Sequence, residues 1–61
     1  MNDPIMKYFE YEHLPPKLQE ISAPFCKLAR DIDTDVPDSA EKSAGLRKLL
    51  EAKDCIVRAG I

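Results

Sequence analysis

Apolar residues recur along this chain with a helical period in two long stretches and with a shorter period ahead of them. The clearest stretch runs over 38–59, DSAEKSAGLRKLLEAKDCIVRA. At 3.6 residues per turn, Leu46, Leu49, Leu50, Ile56 and Val57 fall on one face. Arg47, Glu51, Asp54 and Arg58 fall on another, where Arg47 to Glu51 and Asp54 to Arg58 are expected ion pairs one turn apart. Asp38 is the expected N-cap, and Glu41 three residues on completes a capping box just after Pro37. The pattern predicts one amphipathic helix over 38–59. Two features disturb it. Lys53 sits near the middle of the leucine face with Lys42 close to the same azimuth, and Gly45, Ala52 and Ala59 line one edge, where another backbone can approach.

From Pro16 a second helical pattern begins. Leu18, Ile21, Phe25, Leu28, Ala29 and Ile32 are spaced three or four apart, and Pro16 suits a first helical turn. Pro24 interrupts the pattern without shifting its phase, which predicts a kinked helix over 16–32 rather than two helices. The link from Asp33 to Pro37 is short and polar, so the helices are antiparallel neighbours. Ahead of them, YFEYEHL alternates: Phe9, Tyr11 and His13 share one side of an extended segment, with Glu10 and Glu12 on the other. That predicts an extended arm over 8–15 ended by Pro15-Pro16, after a flexible start over 1–7. The fold class expected is all-α: an antiparallel helical hairpin with a kinked first helix and an extended N-terminal arm.

Length changes this picture. With 61 residues the chain is a single domain, and a hairpin this short buries one stripe per helix and leaves apolar surface over. A homo-oligomer is therefore expected to supply the rest of the core. Two cysteines and one histidine are too few for an ordinary four-ligand zinc site within one chain. A Cys26–Cys55 disulfide is arithmetically possible, but reduced thiols are the preferred reading, since nothing resembles a signal peptide. A net charge of −2 argues against binding a nucleic-acid polymer, whose partners concentrate Lys and Arg into a basic domain. No apolar run reaches membrane-spanning length, so a soluble, cytoplasmic protein is expected.

Catalysis finds no support in the residues. His13 lies in the arm beside two glutamates, Cys55 adjoins Asp54, whose charge disfavours a thiolate, and no phosphate loop or metal motif occurs. The expected protein is not an enzyme and carries no cofactor. Binding chemistry is better represented. Arg47, Lys48, Lys53 and Arg58 place four cations on one helix, and Phe9 and Tyr11 offer ring faces on which bases can stack. Lys53 must snorkel or meet an anion, because an unpaired buried ammonium is costly. On residue chemistry alone, the aromatics read first as hydrophobic staples and the cations as ion pairs.

The ordered set Phe9-Glu10-Tyr11, Leu14 to Gln19, Ser22, Pro24-Phe25, Leu28-Ala29, Pro37 to Ser43, Leu46 and Lys48 to Ala52 resembles the helical-hairpin domain of viral immune-evasion sponges. These comprise the phage anti-CBASS cyclic-oligonucleotide sponges and the related Thoeris anti-defence sponges. The resemblance covers nearly the whole chain from Phe9 to Ala59. It implies a non-catalytic homo-oligomer, typically a hexamer, acting in the cytoplasm of the infected cell. There it would sequester cyclic di- or trinucleotides or cyclic ADP-ribose isomers, intact, in pockets between protomers. By resemblance Phe9 and Tyr11 would stack on bases, while Lys17 and the second-helix cations Arg47, Lys48, Lys53 and Arg58 would pair with phosphates. Thoeris-type members carry an aromatic-amide stretch and further helix where this chain reads Lys53 to Arg58, so the ligand class is implied and the individual ligand is not. The alternative expectation is a small helical module that docks onto a host or phage protein.

Overall fold

A computed structural model describes residues 4–61. The order is a 3₁₀ segment, Pro4–Phe9, then helix α1, Pro16–Asp35, and helix α2, Ala40–Ala59. The two long helices pack side by side, and the 3₁₀ segment lies against both. They run antiparallel: Lys42 near the start of α2 meets Asp33 near the end of α1, while Gly60 after α2 lies against Ile21 in the first half of α1. A Cβ at Gly60 would run into Ile21 Cδ1, so the close approach there needs glycine or a shift of that side chain. The particle measures 34 × 17 × 15 Å.

α1 starts where the sequence places it. Pro16 occupies the first turn, where its missing N–H costs nothing, and Gln19 N donates to Pro15 O at 3.0 Å. The helix then runs unbroken through Pro24 and continues beyond the expected end at Ile32 to Asp35. Asp-Thr-Asp has the composition of a linker, yet what stops the helix is Pro37. The residue before a proline is excluded from the α region, and Val36 turns to φ −100°, ψ 130° while its N–H still reaches Ile32 O at 2.9 Å.

α2 begins two residues later than expected. Ser39, not Asp38, is the N-cap: its Oγ accepts from Lys42 N at 3.0 Å. Asp38 is drawn away to the Lys42 ammonium at 2.9 Å, so the Asp38–Glu41 capping box does not form. The surface ladder differs as well. Among the described residues Asp54 pairs with Lys53 at 3.3 Å and Arg58 donates to Cys55 Sγ at 3.4 Å, in place of the Asp54–Arg58 and Arg47–Glu51 pairs.

The largest departure is the arm. In place of an extended arm over 8–15, the chain makes the 3₁₀ segment Pro4–Phe9 followed by a tight turn in which Leu14 N donates to Tyr11 O at 3.0 Å. Side chains three apart eclipse in a 3₁₀ helix, so Met6 and Phe9 turn to the same side, towards the long helices. Phe9 is wholly buried and forms the core with Cys26, Ala29 and Leu46, flanked by Ile5, Met6, Tyr11, Phe25, Ile32, Leu49 and Leu50. Both cysteines are free thiols, Cys26 buried and Cys55 exposed.

Candidate functional site

The two lysines that disturb the leucine face of α2 are both buried, and each serves the end of another element. Lys42 Nζ donates to Asp33 O at 2.9 Å and to Asp38 Oδ1 at 2.9 Å, and pairs with Asp33 Oδ1 at 3.4 Å. It thereby satisfies a carbonyl in the last turn of α1, where a cation is favoured. The hydrogen bond to Asp38 holds the Lys42 ammonium above its ordinary value, and the same bond holds the Asp38 carboxyl below its own. Lys53 Nζ donates to Tyr8 O at 2.7 Å near the end of the 3₁₀ segment and pairs with Asp54 at 3.3 Å. Lys53 is thus engaged with protein, and its expected role as a phosphate contact gives way to a structural one.

Phe9 is corrected in the same way. Its ring is enclosed by the core and presents no face to a ligand. Period-two alternation pairs Phe9 with Tyr11, but the 3₁₀ turn sends the first inward and leaves the second half-buried at the surface. Gln19 holds the turn that carries Tyr11: its Nε2 donates to Leu14 O at 2.7 Å and to Glu12 O at 3.1 Å.

Two grooves collect the remaining candidate chemistry. One, of about 680 Å³, runs along α1 and brings Tyr11 together with Ala23, Pro24, Lys27 and Arg30, with Glu20 and Asp31 on its rim. Lys27 pairs with Asp31 at 3.1 Å, an exposed pair worth little. Arg30 has no ion-pair partner among the described residues. The other, of about 640 Å³, lies between the 3₁₀ segment and α2 and brings Arg47 together with Lys7, Tyr8 and Leu50. Lys7 Nζ stands 5.2 Å from the centroid of the Tyr8 ring, within cation–π range.

Of the residues expected to bind, Tyr11 and Arg47 therefore reach grooves, and different ones. Lys17, Lys48 and Arg58 are exposed on the helices and line neither. Lys7, Tyr8, Lys27 and Arg30 line the grooves without having been singled out in the sequence. Lys27 and Arg30 were legible there, since Ala23, Lys27 and Arg30 follow a four-then-three spacing along one face of α1. Among the described residues no three of His, Cys, Asp and Glu assemble into a metal site, and no helix is long and apolar enough to cross a membrane. No family, no protein of known function and no solved structure matches the chain.

Proposed function

We propose that the chain is an immune-evasion sponge. It binds cyclic oligonucleotide second messengers of bacterial anti-phage defence, cyclic di- or trinucleotides or cyclic ADP-ribose isomers, and withholds them without hydrolysis. The resemblance over Phe9 to Ala59 supplies the ligand class. One structural observation supports the reading: the half-buried Tyr11 ring and the Arg30 guanidinium, which has no ion-pair partner among the described residues, line the same groove, whose volume suits a small ligand. A ring face for a base and a planar cation for a phosphate are the two contacts a nucleotide needs.

The working unit is a homo-oligomer in the infected cell's cytoplasm, a hexamer by resemblance. What supports assembly is the thinness of the single chain's interior. Among the described residues four apolar side chains are buried, while Leu28 and Ile56 are each 49% exposed. Carboxylates on the rim of the Tyr11 groove face any bound phosphate from one copy alone, so a cation from a neighbouring copy would complete the site. Solution mass combined with a thermal-shift panel of cyclic di- and trinucleotides and cyclic ADP-ribose isomers tests the proposal. A multimer that binds one of them and releases it chemically unchanged on heating supports it. A panel without a single binder refutes it.

The same exposed Leu28 and Ile56 favour a second reading, a module that docks on a host or phage protein. That reading requires a monomer that recovers a specific partner in pull-down and ignores the panel.

A further inference from the structure

We infer that the groove between the 3₁₀ segment and α2 is a separate binding site for a singly phosphorylated aromatic ring, of the nucleoside monophosphate class. It shares no residue with the Tyr11 groove. Its sign sets it apart. Three other grooves among the described residues each include at least two carboxylates: Glu10 and Asp33 in one, Glu20 and Asp31 in the next, and three aspartates at the hairpin turn. Among the described residues the lining of this one contains Lys7 and Arg47 and no carboxylate, on a chain whose net charge is −2. The other grooves hold cations too, Lys7 and Arg30 in one and Lys27 and Arg30 in the next. Only here do the described residues leave them without a carboxylate, which favours an anion.

In this hollow Arg47 is uncommitted among the described residues, and the Tyr8 backbone is held. Arg47 has Glu51 one turn further along α2, the spacing at which an ion pair is expected, yet the guanidinium takes no hydrogen bond or ion pair among the described residues. Its planar fork remains open to two phosphate oxygens. Tyr8 is 56% exposed, a costly display for so large a side chain, while its own backbone is fixed by the Lys53 ammonium at 2.7 Å from the carbonyl. Lys7 covers one face of the Tyr8 ring. The opposite face is left for a second aromatic ring, with Leu50 and Pro4 supplying apolar contact beside it. One fork, one ammonium and one ring face match a ligand with one phosphate and one base. The groove volume of about 640 Å³ accommodates such a molecule.

The test is calorimetric titration of the full chain with adenosine 5′-monophosphate, adenosine and inorganic phosphate in parallel. The monophosphate should bind at least about tenfold more tightly than either fragment, and its affinity should fall as salt is raised. Arg47→Gln should weaken monophosphate and phosphate together by about tenfold. Tyr8→Leu should weaken the monophosphate and leave phosphate unchanged, which separates the ring contact from the ionic one. Circular dichroism of both variants should match the parent, because Arg47 and Tyr8 are exposed. Adenosine binding as well as its monophosphate, no monophosphate binding at millimolar concentration, or full affinity in a folded Arg47→Gln variant would each overturn the assignment. None of these outcomes depends on whether a cyclic nucleotide occupies the Tyr11 groove.

Discussion

The Lys53 ammonium donates to the Tyr8 carbonyl at 2.7 Å, joining the last helix to the first turn of structure across 45 residues of chain. Most of the Lys53 side chain is buried beneath that bond. The lysine that looked misplaced on a leucine face is therefore what keeps the 3₁₀ segment docked, and with it Phe9 in the core.

Replacing Lys53 by methionine keeps the apolar stem and deletes the donor. The Tyr8 carbonyl then loses its partner, which costs roughly 1–3 kcal/mol if it stays dry. Urea unfolding should show a loss of that size. An unchanged midpoint would mean that water replaces the bond at no cost.

Asp38 and Lys42 predict a pH profile. The Asp38 carboxyl is held below its ordinary 3.8, chiefly by the hydrogen bond from Lys42. Its contribution is thus complete above 3.8 and disappears as the pH falls through the lower, folded value. The Lys42 ammonium is held above its ordinary 10.5, chiefly by the bond to Asp38. Its contribution is complete below 10.5 and disappears as the pH rises through the higher, folded value. Stability from this pair should be flat between these limits, and Lys42→Met should remove both of its limbs from a plot of urea midpoint against pH.

Ser22 is wholly buried, and its Oγ has no hydrogen-bond partner among the described residues. Ser22→Ala removes an unpaired hydroxyl and improves helix propensity, so the variant should gain up to about 1 kcal/mol. A loss of the same size in urea unfolding would reveal a hidden partner for the hydroxyl.

Phe9 and Tyr11 should separate cleanly. Phe9→Ala opens the core and should cost about 3–5 kcal/mol, enough to unfold a domain this small. Tyr11→Ala should leave the fold in place and weaken a stacked nucleotide by roughly 1–3 kcal/mol. Circular dichroism and the thermal-shift panel read the two effects independently.

Ile56→Asp distinguishes a solitary chain from an assembly. The side chain is half-exposed on one copy, so the change should stay within about 0.5 kcal/mol for a monomer. In a homo-oligomer packed through that face of α2, the same change should lower the solution mass to that of the single chain.

The hairpin was legible because long helices repeat their signal. Leu46, Leu49 and Leu50 face the core as their spacing requires, and Pro16 opens α1 where a first-turn proline belongs. Six residues of 3₁₀ helix repeat nothing often enough to outweigh an apparent alternation, which puts Phe9 and Tyr11 on one side of an extended arm and hides the turn that separates them. The lysines were flagged by their misfit, but their acceptors are backbone carbonyls of Tyr8 and Asp33, which no side-chain pattern announces. The cap moved from Asp38 to Ser39 for a related reason: Lys42 competes for the aspartate, and that competition exists only once the helices have met.

Gln19 fastens the Tyr11 turn to the first coil of α1, whereas Lys53 fastens Tyr8 to α2. The exposed Tyr8 and the half-buried Tyr11 thus hang from separate moorings on opposite halves of the hairpin. Substitutions that reshape one recess need not disturb its counterpart, so the two surfaces are free to diverge independently.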